Sequence, residues 1–171
     1  MRVLTCIIAG FVTTAAVSSC GGGGSSPLSN AQFVAQANAA CSESNAKVEP
    51  TASSLDENFE SEPEAVTDML EIIPVVEGLH ERLARITPPS DKQAEYARGV
   101  HLVGQLVSEL DALRRVVTAD HATHAPLTVS AIREGIQIQG RMQEAGEKLE
   151  AIATNLELIE CAKIAKTQMF G

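Results

Sequence analysis

The sequence predicts an all-α protein whose main domain is an antiparallel four-helix bundle. Apolar residues recur at alternating spacings of three and four along most of residues 29–171, which is the period of an amphipathic helix. No alternation typical of a strand persists over a useful length. Two proline-containing breaks, "TPPS" and "HAPLT", return the chain on itself, which favours a bundle over a long two-helix coiled coil.

The first helix is predicted to begin at Ser29, because Ser29 and Gln32 have the spacing of a capping box. Pro50 is expected to end this helix. The following stretch, 49–63, is acidic and contains no basic residue, so we expect a solvated loop. It lacks the residue spacing of a calcium-binding loop. The apolar face of the first helix consists of Phe33, Ala37, Ala40, Cys41 and Val48.

Three further helices carry regular apolar seams. The second is expected to start at a capping box of Ser61 and Glu64 and to kink at Pro74, which lies off its seam. The third is expected to open between Ser90 and Gln93, directly after the Pro-Pro stop. The loop "TADHATHAPLT" then leads into the fourth. The three seams are Met69, Ile72, Val76, Leu79, Leu83 and Ile86; Tyr96, Gly99, Val103, Leu106, Leu110, Leu113 and Val117; and Ala131, Gly135, Ile138, Met142, Ala145, Leu149, Ile152, Leu156 and Ile159.

Composition narrows the function classes. Apolar residues make up 44% of the chain but aromatic residues only 3%, so the predicted core is aliphatic. The formal net charge is −9, which repels phosphate backbones and argues against nucleic-acid binding. The same charge repels anionic lipid headgroups. Attachment to a membrane would therefore have to be covalent or through an inserted segment.

The first residues have the features of an export signal. Met1-Arg2 is followed by "VLTCIIAGFVTTAAV", an apolar run of 15 residues that includes Cys6. A membrane-spanning helix needs about 20 such residues, whereas the core of a signal peptide is shorter. After this run come Cys20 and the flexible stretch "GGGGSSPLS", which has no large apolar side chains apart from one leucine.

The stretch Val17-Ser18-Ser19-Cys20 resembles the lipobox of bacterial lipoproteins. The resemblance implies that a signal peptidase cuts before Cys20 and that its thiol carries a diacylglyceryl group. The chain then divides into a signal peptide at 1–19, a lipidated cysteine and tether at 20–28, and a helical domain at 29–171. An ordinary secretory signal and a retained transmembrane anchor are the alternatives.

A wider resemblance covers most of the chain. The sequence is similar to predicted actinobacterial lipoproteins that carry a serine-capped first helix, a Pro-Pro turn in mid-chain and a late cysteine. This resemblance implies a helical fold and a location in the cell envelope, and it transfers no activity. The matching positions are Ser29, Phe33, Ala37, Cys41, Pro88, Pro89 and Cys161.

Cys41 and Cys161 form an even pair near the two ends of the domain. In an exported protein such a pair is usually bonded, and we expect the bond to hold the alanine-rich first helix beside the fourth, with a Cα separation of roughly 5.5–6 Å. Two free buried thiols are the alternative. Neither cysteine lies in a C-x-x-C pattern, so a redox or metal role is not indicated.

Two groups of residues raise the question of metal binding. Glu77 and His80 have the E-x-x-H spacing of di-metal helical bundles. On the heptad, however, neither points inward, and His101 falls at an outward position, so we expect solvated helix faces. In the loop after the third helix, Asp120, His121 and His124 could share a zinc or copper ion.

No nucleophile elbow, Walker loop or dinucleotide-binding glycine motif occurs in the sequence, and these are the patterns that would indicate an enzyme. We therefore predict a lipid-anchored module on the extracytoplasmic face of the cell membrane. It would bind an envelope protein or another ligand without catalysis and without a cofactor. The alternative is a metal-binding or metal-dependent protein that uses the loop pair His121 and His124.

Overall fold

The computed structural model describes residues 27–58, 62–121 and 128–165, and side chains within them except for 52–58, 62–66, 69, 120, 121 and 165. Within these ranges the chain is all-α, as predicted. The helices are α1 (Asn30–Asn58), α2 (Glu62–Ala84), α3 (Gln93–His121), α4 (Val129–Asn155) and the short α5 (Ile159–Ala165). None of the helices described is long and apolar enough to cross a membrane.

The four long helices form an antiparallel bundle, and α5 closes it. Along the chain each helix packs on the next, and α5 packs on both α4 and α1. Among the described residues, no Cα pair within 8 Å joins α1 to α4. The prediction that the first helix packs directly beside the fourth is therefore wrong, because α5 lies between them along part of their length.

The start of α1 confirms the predicted capping box. The backbone N–H of Gln32 donates to the Ser29 hydroxyl over 3.3 Å, and the Ser29 N–H donates to Oε1 of Gln32 over 3.1 Å. Two of the N–H groups that a helix leaves unpaired at its start are satisfied in this way. Just before the helix, the N–H of Leu28 donates to the Thr87 carbonyl over 3.2 Å, which places the start of α1 beside the α2–α3 connection.

Pro50 does not end α1, and this prediction is also wrong. The helix continues to Asn58, so residues 49–58 of the predicted loop are helical, while 59–61 lie outside the described residues. A proline inside a helix removes one hydrogen bond and crowds the carbonyl four residues earlier. Both Pro50 and Ala46 are exposed, so water can reach the carbonyl that loses its partner. At Pro74, by contrast, α2 continues past the proline as predicted.

The predicted seam of the fourth helix is divided between α4 and α5. At the end of α4 the Leu158 N–H donates to the Ala153 carbonyl over 2.8 Å, and the Glu157 N–H donates to the Thr154 carbonyl over 3.1 Å. These two bonds are those of a Schellman cap. Glu157 takes the left-handed conformation, with φ of 64°, where glycine is the usual residue. The chain reverses here, so Ile159 leaves the core and is 67% exposed.

The core is built from the predicted seams. Phe33 of α1 meets Tyr96 of α3 edge-to-face, with ring centroids 5.0 Å apart, which is a favourable geometry for aromatic pairs. The Tyr96 hydroxyl donates to the Leu83 carbonyl over 2.8 Å, and burial raises the pKa of Tyr96. These contacts join three helices at one end of the bundle. Among the described residues, the largest fully buried side chains are Phe33, Ile72, Leu106, Ile138, Leu156, Cys41 and Ser44.

A disulfide joins Cys41 of α1 to Cys161 of α5, as the sequence predicts. Its Cα separation is 5.0 Å across 120 residues of sequence. Two asparagines of α1 add polar contacts beside it. Asn38 accepts from the Glu160 N–H over 2.9 Å, and Asn45 donates to the Glu160 carbonyl over 2.8 Å. The disulfide and these two hydrogen bonds fix α5 against α1.

Candidate functional site: a polar groove on α2, α3 and α4

An open groove of about 500 Å³ is lined by residues of α2, α3 and α4. This volume is within the range typical of ligand sites. An apolar cavity beside the disulfide, by contrast, has a volume of only about 30 Å³. The groove is lined by His80 of α2, by His101, Leu102, Gly104, Gln105, Ser108 and Glu109 of α3, and by Arg141, Glu144, Ala145 and Lys148 of α4.

Two ion pairs occupy the α3–α4 side of the groove. Arg141 of α4 holds Glu109 of α3 through two hydrogen bonds of 2.8 and 2.7 Å, and this carboxylate raises the pKa of Arg141. Lys148 donates to Glu144 over 2.7 Å and lowers the pKa of that carboxyl group. The positive and negative charges on this wall are therefore matched, and the groove offers a ligand no excess of either sign from these four residues.

The two imidazoles of the groove come from different helices. His101 is exposed, as predicted. His80 is half-buried and stands over the backbone of Gly104, where a Cβ atom would lie only 3.0 Å from Nε2 of the ring. His80 is therefore only partly solvated, because the missing side chain at Gly104 leaves room for the ring to pack. Glu77 is exposed and is not part of the groove lining.

The groove can bind a polar ligand through hydrogen bonds rather than through net charge. An imidazole ring provides a donor and an acceptor, and the side chains of Gln105 and Ser108 provide both as well. The Ser108 hydroxyl donates to the Gly104 carbonyl over 3.1 Å, which leaves its oxygen able to accept.

The predicted metal and lipid sites fall largely outside the structure. The side chains of Asp120 and His121, all of His124, and residues 1–26 with Cys6 and Cys20 are outside what is described. Within the part of the chain that is described, no three His, Cys, Asp or Glu side chains are grouped so as to hold a metal ion. The loop histidine pair stays a prediction, which stoichiometric zinc or copper in the purified chain would support.

A polar contact between α1 and α2 was not foreseen from the sequence. Arg82 of α2 donates to the Ser44 hydroxyl over 2.6 Å and pairs with Glu43 over 2.9 Å. Hydrogen bonds from Lys47 and Arg82 lower the pKa of Glu43. Ser44 falls on the apolar face of α1, three residues after Cys41. A polar residue on an apolar face is the sequence feature that could have indicated this polar contact. The contact aligns α1 with α2 and lies outside the groove.

The packing of His80 on Gly104 predicts different outcomes for two glycine substitutions in helices. At Gly140, nothing lies within 4 Å of an added Cβ, so Gly140→Ala should raise the free energy of unfolding by about 0.5–1 kcal/mol through helix propensity alone. Gly104→Ala should gain less, because the His80 ring must move. Denaturant unfolding of both variants measures the difference. Equal gains would show that the ring packing at Gly104 imposes no constraint.

Comparison of the chain with protein-family models, with curated proteins and with solved structures found no match.

Proposed function

We propose that this chain is a lipid-anchored helical-bundle protein on the extracytoplasmic face of the cell membrane, and that it acts as a non-catalytic binding or interaction module. The observation that carries the proposal is the disulfide between Cys41 and Cys161. Disulfides persist in oxidising compartments and are rare in the cytoplasm. Together with the lipobox-like stretch ending at Cys20, the bond supports export and anchoring.

The position of Leu28, at the start of the described residues, supports the proposed tether. Leu28 is held at the end of the bundle that carries the α2–α3 connection, so the glycine-rich stretch before it would leave from one end of the domain. Such a stretch spans on the order of 15–20 Å. The α1 helix has 29 residues, and at about 1.5 Å per residue the opposite end of the bundle lies roughly 40 Å further from the membrane.

The polar groove is the proposed binding site. Its volume suits a small polar molecule or a short peptide segment, and its ligand would be recognised by hydrogen bonds from His80, His101, Gln105 and Ser108. This recognition needs no cofactor. Recognition by hydrogen bonds is also compatible with the strongly acidic composition of the chain. The ion pairs Glu109–Arg141 and Glu144–Lys148 balance the charge within the groove.

The anchor is tested by replacing Cys20 with serine. The variant should lose incorporation of radiolabelled fatty acid, keep its signal peptide and migrate differently on a gel, because the thiol is the site of both lipidation and the processing that depends on it. The matched control is Ser19→Ala, which keeps the cysteine and a small residue before it. Unchanged labelling and membrane association in Cys20→Ser would refute the lipoprotein assignment.

The binding role is tested by changing one exposed glutamine inside the groove and one outside it. Gln105→Arg fills the groove with a long charged side chain, whereas Gln137→Arg makes the same change on an exposed face of α4. Ligands or partners crosslinked to the chain in intact envelopes should be lost only with Gln105→Arg. Equal retention in both variants, with both correctly folded, would contradict binding in the groove.

A further inference from the structure

One side of the polar groove is a strip of α3 that carries no permanent charge. The strip consists of His101, Gly104, Gln105 and Ser108, whose spacing puts them on one face of the helix. His80 of α2 packs on the strip at Gly104, where a Cβ atom would lie only 3.0 Å from Nε2 of the ring. Residues three apart on a helix are neighbours, so His101 lies one turn from that packing point. The two imidazoles therefore flank the same part of the groove.

The opposite wall of the groove comes from α4, and two contacts fix the register of α4 on α3. Arg141 holds Glu109, and Asn155 donates to Glu95 over 3.1 Å. The second contact lies fourteen residues from the first on both helices, so the antiparallel register is constant between them. Lys148, seven residues after Arg141, is therefore level with the start of the α3 strip. The ion pairs of α4 face the two imidazoles across the groove.

The permanent charges around the two imidazoles cancel. Two ion pairs belong to the groove lining, and one exposed charged residue precedes each imidazole by a helical turn, acidic on α2 and basic on α3. Glu81, next to His80, is held by Arg85 over 3.0 Å. Among the described residues, α1 and α5 contribute nothing to the lining. The three acidic and three basic groups that face the imidazoles are Glu77 of α2, Arg98 and Glu109 of α3, and Arg141, Glu144 and Lys148 of α4.

Because these charges cancel, the protonation of His80 and His101 decides the net charge of the groove. Imidazole is the side chain that takes up a proton as the pH falls from neutral to mildly acidic. We propose that the groove binds a small soluble oxoanion, such as a carboxylate or a phosphate, and that protonation of His80 and His101 drives this binding as the pH falls. Such binding rests on the proposed function of the groove, to which it adds the class of ligand and the regulation.

The direction of the pH dependence follows from the charges. With neutral imidazoles the groove has no net charge, and the chain as a whole carries −9, which repels an anion. With both imidazoles protonated, the groove carries two positive charges. Each imidazolium ring donates charge-assisted hydrogen bonds, and the amide of Gln105 supplies further donors. Binding of the anion is therefore strong at mildly acidic pH and is lost as the pH rises and the imidazoles release their protons.

Binding of oxalate and of sulfate to the purified full chain tests the proposal. Both anions keep two negative charges between about pH 5.5 and about pH 7.5, the range in which imidazole titrates, so a change in affinity reports on the protein. Calorimetric titration should give at least about tenfold tighter binding at the lower pH, weakened by added salt. Binding of neither anion at the lower pH, or equal affinity at both pH values, would overturn the proposal.

Two lysine substitutions separate charge inside the groove from charge elsewhere on the chain. His101→Lys puts a permanent positive charge in the groove, whereas Gln137→Lys makes the same change in net charge on an exposed face of α4. At about pH 7.5 only His101→Lys should bind the anions at least about fivefold more tightly than the unsubstituted chain. His101→Gln should lose most of the gain on acidification. Equal gains in the two lysine variants would show that overall charge attracts the anion, and would overturn the proposal.

Crosslinking of Gln105→Arg in intact envelopes distinguishes failure of this proposal from failure of the proposed function. If that variant loses its crosslinked ligand while the unsubstituted chain shows no pH-dependent anion binding, the groove is retained as a binding site and the oxoanion is refuted. If anion binding depends on pH and on His101 while crosslinking is unaffected by Gln105→Arg, the oxoanion site is retained and the groove is refuted as the site of the envelope ligand.

Discussion

Breaking the disulfide between Cys41 and Cys161 should lower the free energy of unfolding by roughly 2–5 kcal/mol. The bond spans 120 residues of sequence, so its loss releases a long loop in the unfolded chain. In the folded chain it holds α5, a helix of seven residues that is too short to be stable alone. Because α5 lies between α4 and α1, loosening α5 opens the side of the bundle between these two helices.

The measurement is denaturant unfolding of Cys41→Ser, with hydrogen exchange to locate the change. Amides of α5 and of the adjoining part of α1 should lose protection first, while α2, α3 and most of α4 stay protected. The control is the double variant Cys41→Ser with Cys161→Ser, which leaves neither member of the pair as a free thiol and should match the reduced protein. An unfolding midpoint unchanged from the oxidised protein would contradict this role for the bond.

Replacing Phe33 with alanine should lower the free energy of unfolding by about 3–5 kcal/mol. Phe33 is fully buried and meets Tyr96 across the bundle, so its removal leaves a cavity and ends an aromatic contact between α1 and α3. The rest of the apolar face of α1 is mostly alanine, cysteine and valine, which bury little area. This one side chain therefore provides a large share of the packing that holds α1.

Thermal and denaturant unfolding of Phe33→Ala measure the loss. Phe33→Leu keeps an apolar side chain of intermediate size and should lose clearly less. Val129→Ala, at an exposed site, should change the free energy by no more than about 0.5 kcal/mol. If Phe33→Ala were no more destabilising than Val129→Ala, the contact with Tyr96 would not be what holds α1. A typical domain has only 5–15 kcal/mol in total, so Phe33→Ala and Cys41→Ser together should leave α1 detached or the chain unfolded.

Features that depend on neighbouring residues in the chain were predictable. The capping box at Ser29 needs only a serine and a glutamine three residues apart, and the structure confirms it. The seams of α2, α3 and most of α4 follow helical periodicity, and their central residues are buried. The pairing of Cys41 with Cys161 was predictable because only these two cysteines remain once Cys6, in the predicted signal peptide, and Cys20, in the lipobox-like stretch, are set aside.

Features that depend on the surroundings of a residue in the folded chain could not be predicted from the sequence. A proline ends many helices, but Pro50 is accommodated because its side of α1 faces solvent. The reversal after α4 was missed because Glu157, rather than glycine, takes the left-handed conformation. Residues 156 and 159 keep the regular apolar spacing of the fourth helix, so the periodicity alone predicts that the helix continues through them. Periodicity does not indicate a helix cap, and the glycine that usually marks one is absent here.

By itself, the sequence determined the all-α class, the number of long helices, the faces they bury and the two cysteines that are joined. Each of these follows from spacing along one chain, where local geometry decides which side chains share a face. Tertiary structure alone decided that α5 lies between α1 and α4, that His80 packs over Gly104, and that His80 and His101 line one groove with Arg141 and Glu144. These arrangements depend on the register and rotation of one helix against another, which are set by side-chain packing across the bundle rather than by any pattern within a helix.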